Sequence, residues 1–282
     1  MSGEVIQAVR QWFAEELRFV SNVRSPAVVK AFATVPRERF VGPGPWRVRS
    51  PMDRPQYWTT EDADPRHVYH DVLIALDETR ALNNGQPSLW ASLLDKLNVS
   101  LGEHALHLGC GTGYYSAMLA ELVGRGGTVT AVEIDATLAE QARSALVPWP
   151  RVKVVAADGS LYDPGTVEVI VASAGATHPL PLWLDSLKPG GRLLLPLTAD
   201  GSRGGMLLLT QQGTAFAAQF VQSVGFIEFA GARDPILGQR LQQAFKGDDM
   251  ETVKSLRRDI HGEDQSCWLH ADGWCLSRQE SS

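Results

Sequence analysis

At 282 residues the chain suits one elaborated domain or two small ones. Hydrophobic residues make up 44% and charged residues 21%, which excludes a disordered or fibrous chain. A formal charge of -6 disfavours nucleic acid as a partner, since broad phosphate neutralisation needs an excess of cations.

The start, MSGEVIQAVRQWF, has no basic region followed by an apolar run, so no secretory signal is expected. Val5, Val9, Trp12, Phe13, Leu17 and Val20 recur at helical spacing and predict an amphipathic helix over 4–20. A second helix is predicted from Pro26, behind a Ser25 cap, to about Thr34, with Pro36 as its stop. Pro43, Pro45, Pro51, Pro55 and Pro65, with Trp46, Tyr57 and Trp58 among them, predict an irregular, aromatic-anchored excursion placed to cover a ligand.

From residue 104 the pattern changes. Short apolar runs at 104–108, 128–132, 152–156 and 167–172 alternate with helical stretches, the signature of an α/β fold with a mostly parallel, doubly wound sheet. The runs alternate little with polar residues, as when helices cover both faces. Further strands are predicted at 192–195, after a Pro189-Gly190-Gly191 turn, and at 206–210 and 217–221. A helix follows Gly231 through Phe245. Asp272-Gly273 then marks a terminal hairpin pairing Ala271 with Trp274, His270 with Cys275 and Leu269 with Leu276.

The stretch most informative about chemistry is Gly109-Cys110-Gly111-Thr112-Gly113, between an apolar strand and a helix starting near Tyr114. Glycines let the backbone turn and approach a ligand, and the new helix offers unpaired amides beside it. The dinucleotide fingerprint needs a third glycine where Tyr114 stands, so nicotinamide and flavin are disfavoured. Glu133 ends the next strand, where a ribose can present two hydroxyls, and Asp158-Gly159 follows the third, where a carboxylate can meet an adenine amino group. Asp135 is expected to cap the following helix instead of binding ligand. Cys110 reads as a small side chain facing the sheet.

These features resemble the class I S-adenosylmethionine-dependent methyltransferases. The resemblance implies S-adenosyl-L-methionine as cofactor, S-adenosyl-L-homocysteine as product, and Gly109, Cys110, Gly111, Thr112, Gly113, Glu133, Asp158 and Gly159 as the cofactor-binding set. More narrowly, VPRERFV at 35–41, Tyr69 with Asp71, Gln86-Pro87, LGCGTGYYSAMLAELVG, the ADG at 157–159 and LKPGGRLLLPL resemble protein-L-isoaspartate O-methyltransferases over about residues 25–198. The implied organisation is an N-terminal helical and proline-rich cap (1–80), a Rossmann-like domain (81–230) and a C-terminal helix and hairpin extension (231–282). In place of the family's Gly-Gln-Thr-Ile-Ser type segment the chain reads Arg80-Ala81-Leu82-Asn83-Asn84-Gly85, in which asparagine amides can replace hydroxyl donors but Gly85 cannot.

Methyl transfer requires near-attack geometry more than a base, and a carboxylate acceptor is already ionised at neutral pH. The expected function is therefore O-methylation of a carboxylate on a protein, peptide or small molecule. The candidate catalytic residues are His178, just past the fourth strand, Asn84 and Asp71. Arg80 is a further candidate partner for a substrate carboxylate. Two alternatives remain open: a small-metabolite methyltransferase with His178 as base, and a cofactor-binding adaptor without turnover. The segment beyond 225 can reshape the acceptor pocket or form a homodimer contact.

Cys110, Cys267 and Cys275 provide no disulfide framework and point to the cytoplasm, and no apolar run approaches the roughly 20 residues a bilayer requires, so no membrane partner is expected. His261, Cys267, His270 and Cys275 invite a metal, but the hairpin register places Cys267 on the face opposite His270 and Cys275. No metal site is expected.

Overall fold

The periodicity of the first 34 residues becomes two helices, α1 (Gly3–Val20) and α2 (Pro26–Thr34), with Ser25 accepting from Val28 N as predicted. The computed structural model describes residues 3–51, 56–199, 203–213, 215–247 and 249–280. The chain divides into two compact units, one of 1–102, 110–129 and 135–154 and one of 103–109, 130–134 and 155–282.

The first unit holds α1, α2, a small sheet, α3 (Pro87–Leu97), α4 (Tyr114–Val123) and α5 (Ala136–Ala145). Where an irregular excursion was expected, β1 (Arg47–Arg49) and β2 (Trp58–Thr59) pair antiparallel, and β1 also pairs with β3 (Leu73–Asp77), which is followed by β4 (Leu82–Asn83). Trp46 is buried but Trp58 is 46% exposed, so only the first anchors the segment; Pro55 lies outside the described residues. An aromatic cluster forms the core. Phe13 meets Phe32 and Tyr69 edge-on, Tyr114 meets Phe32 and Phe40, and Trp90 stacks on Tyr115 at 4.4 Å.

The second unit holds most of a ten-stranded sheet. In chain order its strands are β5 (His104–Leu108), β6 (Thr128–Glu133), β7 (Val152–Ala156), β8 (Val167–Ala172), β9 (Leu187–Thr198), β10 (Arg203–Gln212), β11 (Ala215–Gly225), β12 (Ser255–Arg257), β13 (Cys267–Ala271) and β14 (Trp274–Ser277). A short helix, α6 (Pro181–Asp185), follows β8, and α7 (Pro235–Lys246) follows β11. The spatial order is β13-β14-β12-β11-β10-β9-β8-β5-β6-β7. β5, β8 and β9 pair in parallel, and from β9 outward every pair is antiparallel. The first strand in sequence thus has β6 on one side and β8 on the other, the switch point at which open α/β sheets bind ligands beyond their carboxyl ends.

Two features differ from the sequence-based expectation. Pro189-Gly190-Gly191 lies inside β9, because Val167 pairs with Leu187 and Val169 with Arg192, and the excess residues bulge out at Gly190, where φ is +77°. The terminal hairpin keeps the predicted pairs, but a register shift between Cys267 and Leu269 makes Ser277 the partner of Cys267. That bulge accommodates Trp268 as an extra residue and inverts the alternation of faces. The expectation that Cys267 points away from His270 and Cys275 is therefore corrected: with His261 they present ligand atoms all within 4.8 Å of one another.

Candidate active site

Strand ends in the second unit are stitched together by backbone bonds. Gly109 N donates to Val132 O at 2.9 Å, Ala157 N to Glu133 O at 3.0 Å and Ser173 N to Leu108 O at 2.8 Å. Gly109, Glu133 and Asp158 thus belong to neighbouring carboxyl-terminal strand ends, as the sequence predicted. Glu133 is buried, at 6% exposure. One oxygen of Asp158 accepts from Ser160 N and Oγ at 2.8 and 2.7 Å, while Oδ2 faces Gly231. Gly159 has an internal reason to lack a side chain, since a Cβ would lie 3.1 Å from both Leu108 Cδ2 and Phe229 Cζ. Its carbonyl accepts from Trp183 Nε1 at 3.0 Å.

The three loop glycines differ in what they face, although all have positive φ. Above Gly109 the nearest atom to an added Cβ is 3.9 Å away, on Ala174, and above Gly111 it is 3.9 Å away, on Leu76. Gly113 instead packs tightly, with Leu146 Cδ1 2.6 Å from the added Cβ. The first two positions leave room that a side chain would fill. The third is required by packing. Within the second unit, the open Gly109 bonded to the strand end that carries the buried Glu133 fits an adenosyl group. Thr112 Oγ1 is committed elsewhere, donating to Phe40 O at 2.6 Å, and Cys110 is buried. Asp135 caps α5 as expected, accepting from Thr137 N and Leu138 N. It also pairs with Arg80 at 2.5 Å, so Arg80 has a partner within the protein.

The first unit contains a polar hub that sequence reasoning missed. Arg37, fully buried, directs all five donors to acceptors: Nε to Asn84 Oδ1, Nη1 to Val68 O and His70 O, and Nη2 to Val72 O and Gly85 O. Tyr69 is buried beside it, its hydroxyl donating to Glu38 and accepting from Arg10 Nε and Arg37 N. Burial and the Glu38 charge push the phenol far above its ordinary range. Arg39 ties in Ala145 O at the end of α5. The Arg37-Glu38-Arg39 run was legible as a motif, but nothing in its spacing reveals a buried guanidinium.

Asn84, 6% exposed, is held by that hub, and Asn83 Oδ1 accepts from Gly85 N at 2.8 Å. At Gly85 φ is +74° and an added Cβ would be 2.8 Å from Trp90 Nε1, so no serine fits there. Asp71 accepts from Ser88 N, Ser88 Oγ and Gln86 Nε2, which secures the amino end of α3. Both oxygens are engaged, which suits Asp71 to positioning rather than proton transfer.

His178 lies in the second unit, on the segment after β8. Thr177 Oγ1 is 3.0 Å from its Nδ1, and burial lowers its pKa, partly opposed by the Asp234 charge. This segment is stitched to residues 227–234: Gly175 N donates to Ile227 O, Phe229 N to Gly175 O and Asp234 N to Thr177 Oγ1. Arg233 Nη1 adds bonds to Gly175 O and Thr198 O.

Comparison with known proteins gives a consistent result. The family model for protein-L-isoaspartate(D-aspartate) O-methyltransferase matches residues 9–234. A protein-L-isoaspartate O-methyltransferase of Rhodopseudomonas palustris strain HaA2 is 34% identical over 195 residues, covering 67% of this chain and 69% of the relative. Another, from strain CGA009, is 32% identical over 216 residues, covering 75% and 88%. A solved protein-L-isoaspartate O-methyltransferase superposes with a TM-score of 0.64 at 25% identity, covering 83% of this chain and 69% of that one. A Plasmodium falciparum structure described by the same activity, in complex with S-adenosyl-L-homocysteine, gives 0.60 at 15% identity, covering 78% and 97%. It supports the fold.

Proposed function

The chain belongs to the protein-L-isoaspartate(D-aspartate) O-methyltransferase family, and on that premise we propose that it methylates a carboxylate of a protein or peptide acceptor, using S-adenosyl-L-methionine. The observation that carries this reading is the open space over Gly109, whose strand end is bonded to the one that carries the buried Glu133. We assign Gly109, Cys110, Gly111 and Gly113 to the backbone cradle, Glu133 to the ribose hydroxyls and Asp158 Oδ2 to the adenine amino group. Thr112 holds the loop through Phe40, and Gly159 lets Leu108 and Phe229 close on the strand end.

When bound, S-adenosyl-L-methionine would supply a methyl carbon activated by its sulfonium for attack by the acceptor oxygen, with S-adenosyl-L-homocysteine as the leaving group. The residues of the chain have to orient the acceptor and exclude water. An acceptor carboxylate, with a pKa near ~4, needs no base at neutral pH. Asn84 uses Oδ1 as an acceptor for Arg37 and keeps its amide N–H groups as donors for an acceptor oxygen. Arg37 and Asp71 are positioning residues for 84–88. His178, kept neutral by burial, is assigned to hydrogen bonding with the acceptor. Replacement of the family's hydroxyl-bearing segment by Asn83-Asn84-Gly85 makes the acceptor's flanking groups the expected point of divergence.

No helix among the described residues is long and apolar enough to cross a membrane. Cys110, Cys267 and Cys275 form no disulfide among the described residues, which fits the reducing, cytoplasmic setting proposed here. The reading is tested by incubating the protein with methyl-labelled S-adenosyl-L-methionine and a panel of isoaspartyl and aspartyl peptides. Label released as methanol by mild alkali is the expected result. Label that survives alkali, as in an ether or N-methyl group, overturns carboxyl methylation.

A further inference from the structure

Two cysteines and two histidines converge far along the chain from the glycine loop, in a region the methyl-transfer reading does not use. The strand β14 supplies Cys275, and β13 supplies His270 opposite it. Regular alternation would turn Cys267 to the other face, but the bulge at Trp268 returns it to the same side. The fourth group, His261, comes from the segment linking β12 to β13. Cys267 Sγ lies 3.6 Å from His261 Nε2 and 3.7 Å from His270 Nδ1, and all four ligand atoms lie within 4.8 Å of one another.

These separations have a chemical meaning. In a tetrahedral site with Zn–S of about 2.3 Å and Zn–N of about 2.0 Å, the sulfur-to-nitrogen edge is about 3.5 Å. The imidazoles of His261 and His270 meet edge to face at 74°, so they approach a common point from steeply different directions. Asp259 O lies 3.0 Å from His261 Nδ1; a proton donated there leaves the Nε2 lone pair aimed at the cluster, the second-sphere arrangement metal-bound histidines use. Both sulfurs are buried. Two thiolates with two imidazoles suit a borderline-soft, tetrahedral cation and not the oxygen-preferring calcium or magnesium.

We propose that His261, Cys267, His270 and Cys275 form a closed, structural zinc site that fastens the 258–266 segment to the terminal hairpin. Four protein ligands leave no open position, so the site supplies stability and not catalysis. The segment is otherwise tied at its two ends, by Arg258 to Asp185 and by Ser266 O to Arg278 N, while Ile260 between them is fully exposed and the ion pair of His261 runs to its neighbour Asp259, so the site would fasten its middle.

The test uses the full chain, expressed with zinc supplied and purified under reducing conditions without chelators or metal-affinity resin. Elemental analysis is expected to find one zinc per chain. Exchange for cobalt is expected to give the thiolate-to-cobalt charge-transfer band and the visible bands of a tetrahedral site. Cys275→Ser is expected to abolish both. Because Cys275 is fully buried and that variant can misfold, His261→Gln provides an independent arm at the periphery of the cluster. It is expected to weaken zinc binding by more than the roughly 10- to 100-fold that loss of a second-sphere partner produces. A wild-type chain that holds no stoichiometric zinc and shows no cobalt–thiolate band overturns the proposal. A Cys267–Cys275 disulfide under these reducing conditions, or full zinc affinity in His261→Gln, does so as well.

Discussion

Arg37 shows what a single buried side chain can organise. Its five donors fix 68–72 and 84–85 at once, and the bidentate fork has no lysine equivalent. Arg37→Met is expected to lose at least about 3 kcal/mol by denaturant titration, since several buried acceptors are left unpaired, with Arg37→Lys recovering only part of it. The loop glycines separate binding from packing. Gly111→Ala, which places a methyl in open space, is expected to weaken S-adenosyl-L-homocysteine binding about 10-fold or more by calorimetry, with a stability cost of about 1 kcal/mol set by its positive φ alone. Gly113→Ala, aimed at Leu146, is expected to cost about 1–3 kcal/mol of stability. His107 gives the pH dependence. Burial beside Ser173 holds its pKa down to about 3, below the ordinary 6.5, so the folded state keeps it neutral. A depressed histidine contributes fully above its unfolded pKa, and its contribution is lost as pH falls from about 6.5 toward 3, with a slope of at most about 1.4 kcal/mol per pH unit. Stability measured across that window is expected to fall less steeply in His107→Gln.

At the scale of elements, much of the fold was legible because local chemistry and pattern agreed. Ser25-Pro26 opened α2, the four apolar runs became β5 to β8, and Asp272-Gly273 fixed three hairpin pairs. Elements defined by long-range pairing were not. The Pro189–Gly191 bulge exists because β9 must follow the register of β8, and the Trp268 bulge because β13 must follow β14, with no glycine at position 268 to announce it. The candidate site was legible in the same measure. Gly109, Glu133 and Asp158 could be placed by counting from strand ends, whereas the Arg37 hub depends on contacts between 37 and 68–85 that no periodicity encodes. Asp71 is among the candidate catalytic residues from the sequence, and its bonds to Ser88 and Gln86 tether it to the amino end of α3, a contact no local pattern encodes. Asp71→Ala is expected to cost about 1 kcal/mol or more of stability, on the scale of a lost helix cap, and to raise KM for the acceptor more than that for the methyl donor.

For the molecule as a whole, the account rests on the claim that the strand ends and the glycine loop bind an adenosyl methyl donor. The segment beyond residue 225 belongs to the same framework, since β12 pairs with β11 and residues 227–232 bond to Gly175 and Thr177 on the segment after β8. The decisive measurement is a calorimetric titration of the full chain with S-adenosyl-L-homocysteine, beside a Glu133→Ala variant whose circular dichroism matches the parent. The account predicts saturable binding at one site per chain, lost or greatly weakened in the variant. A parent chain that shows no saturable binding, or a variant that binds as tightly as the parent, would contradict it.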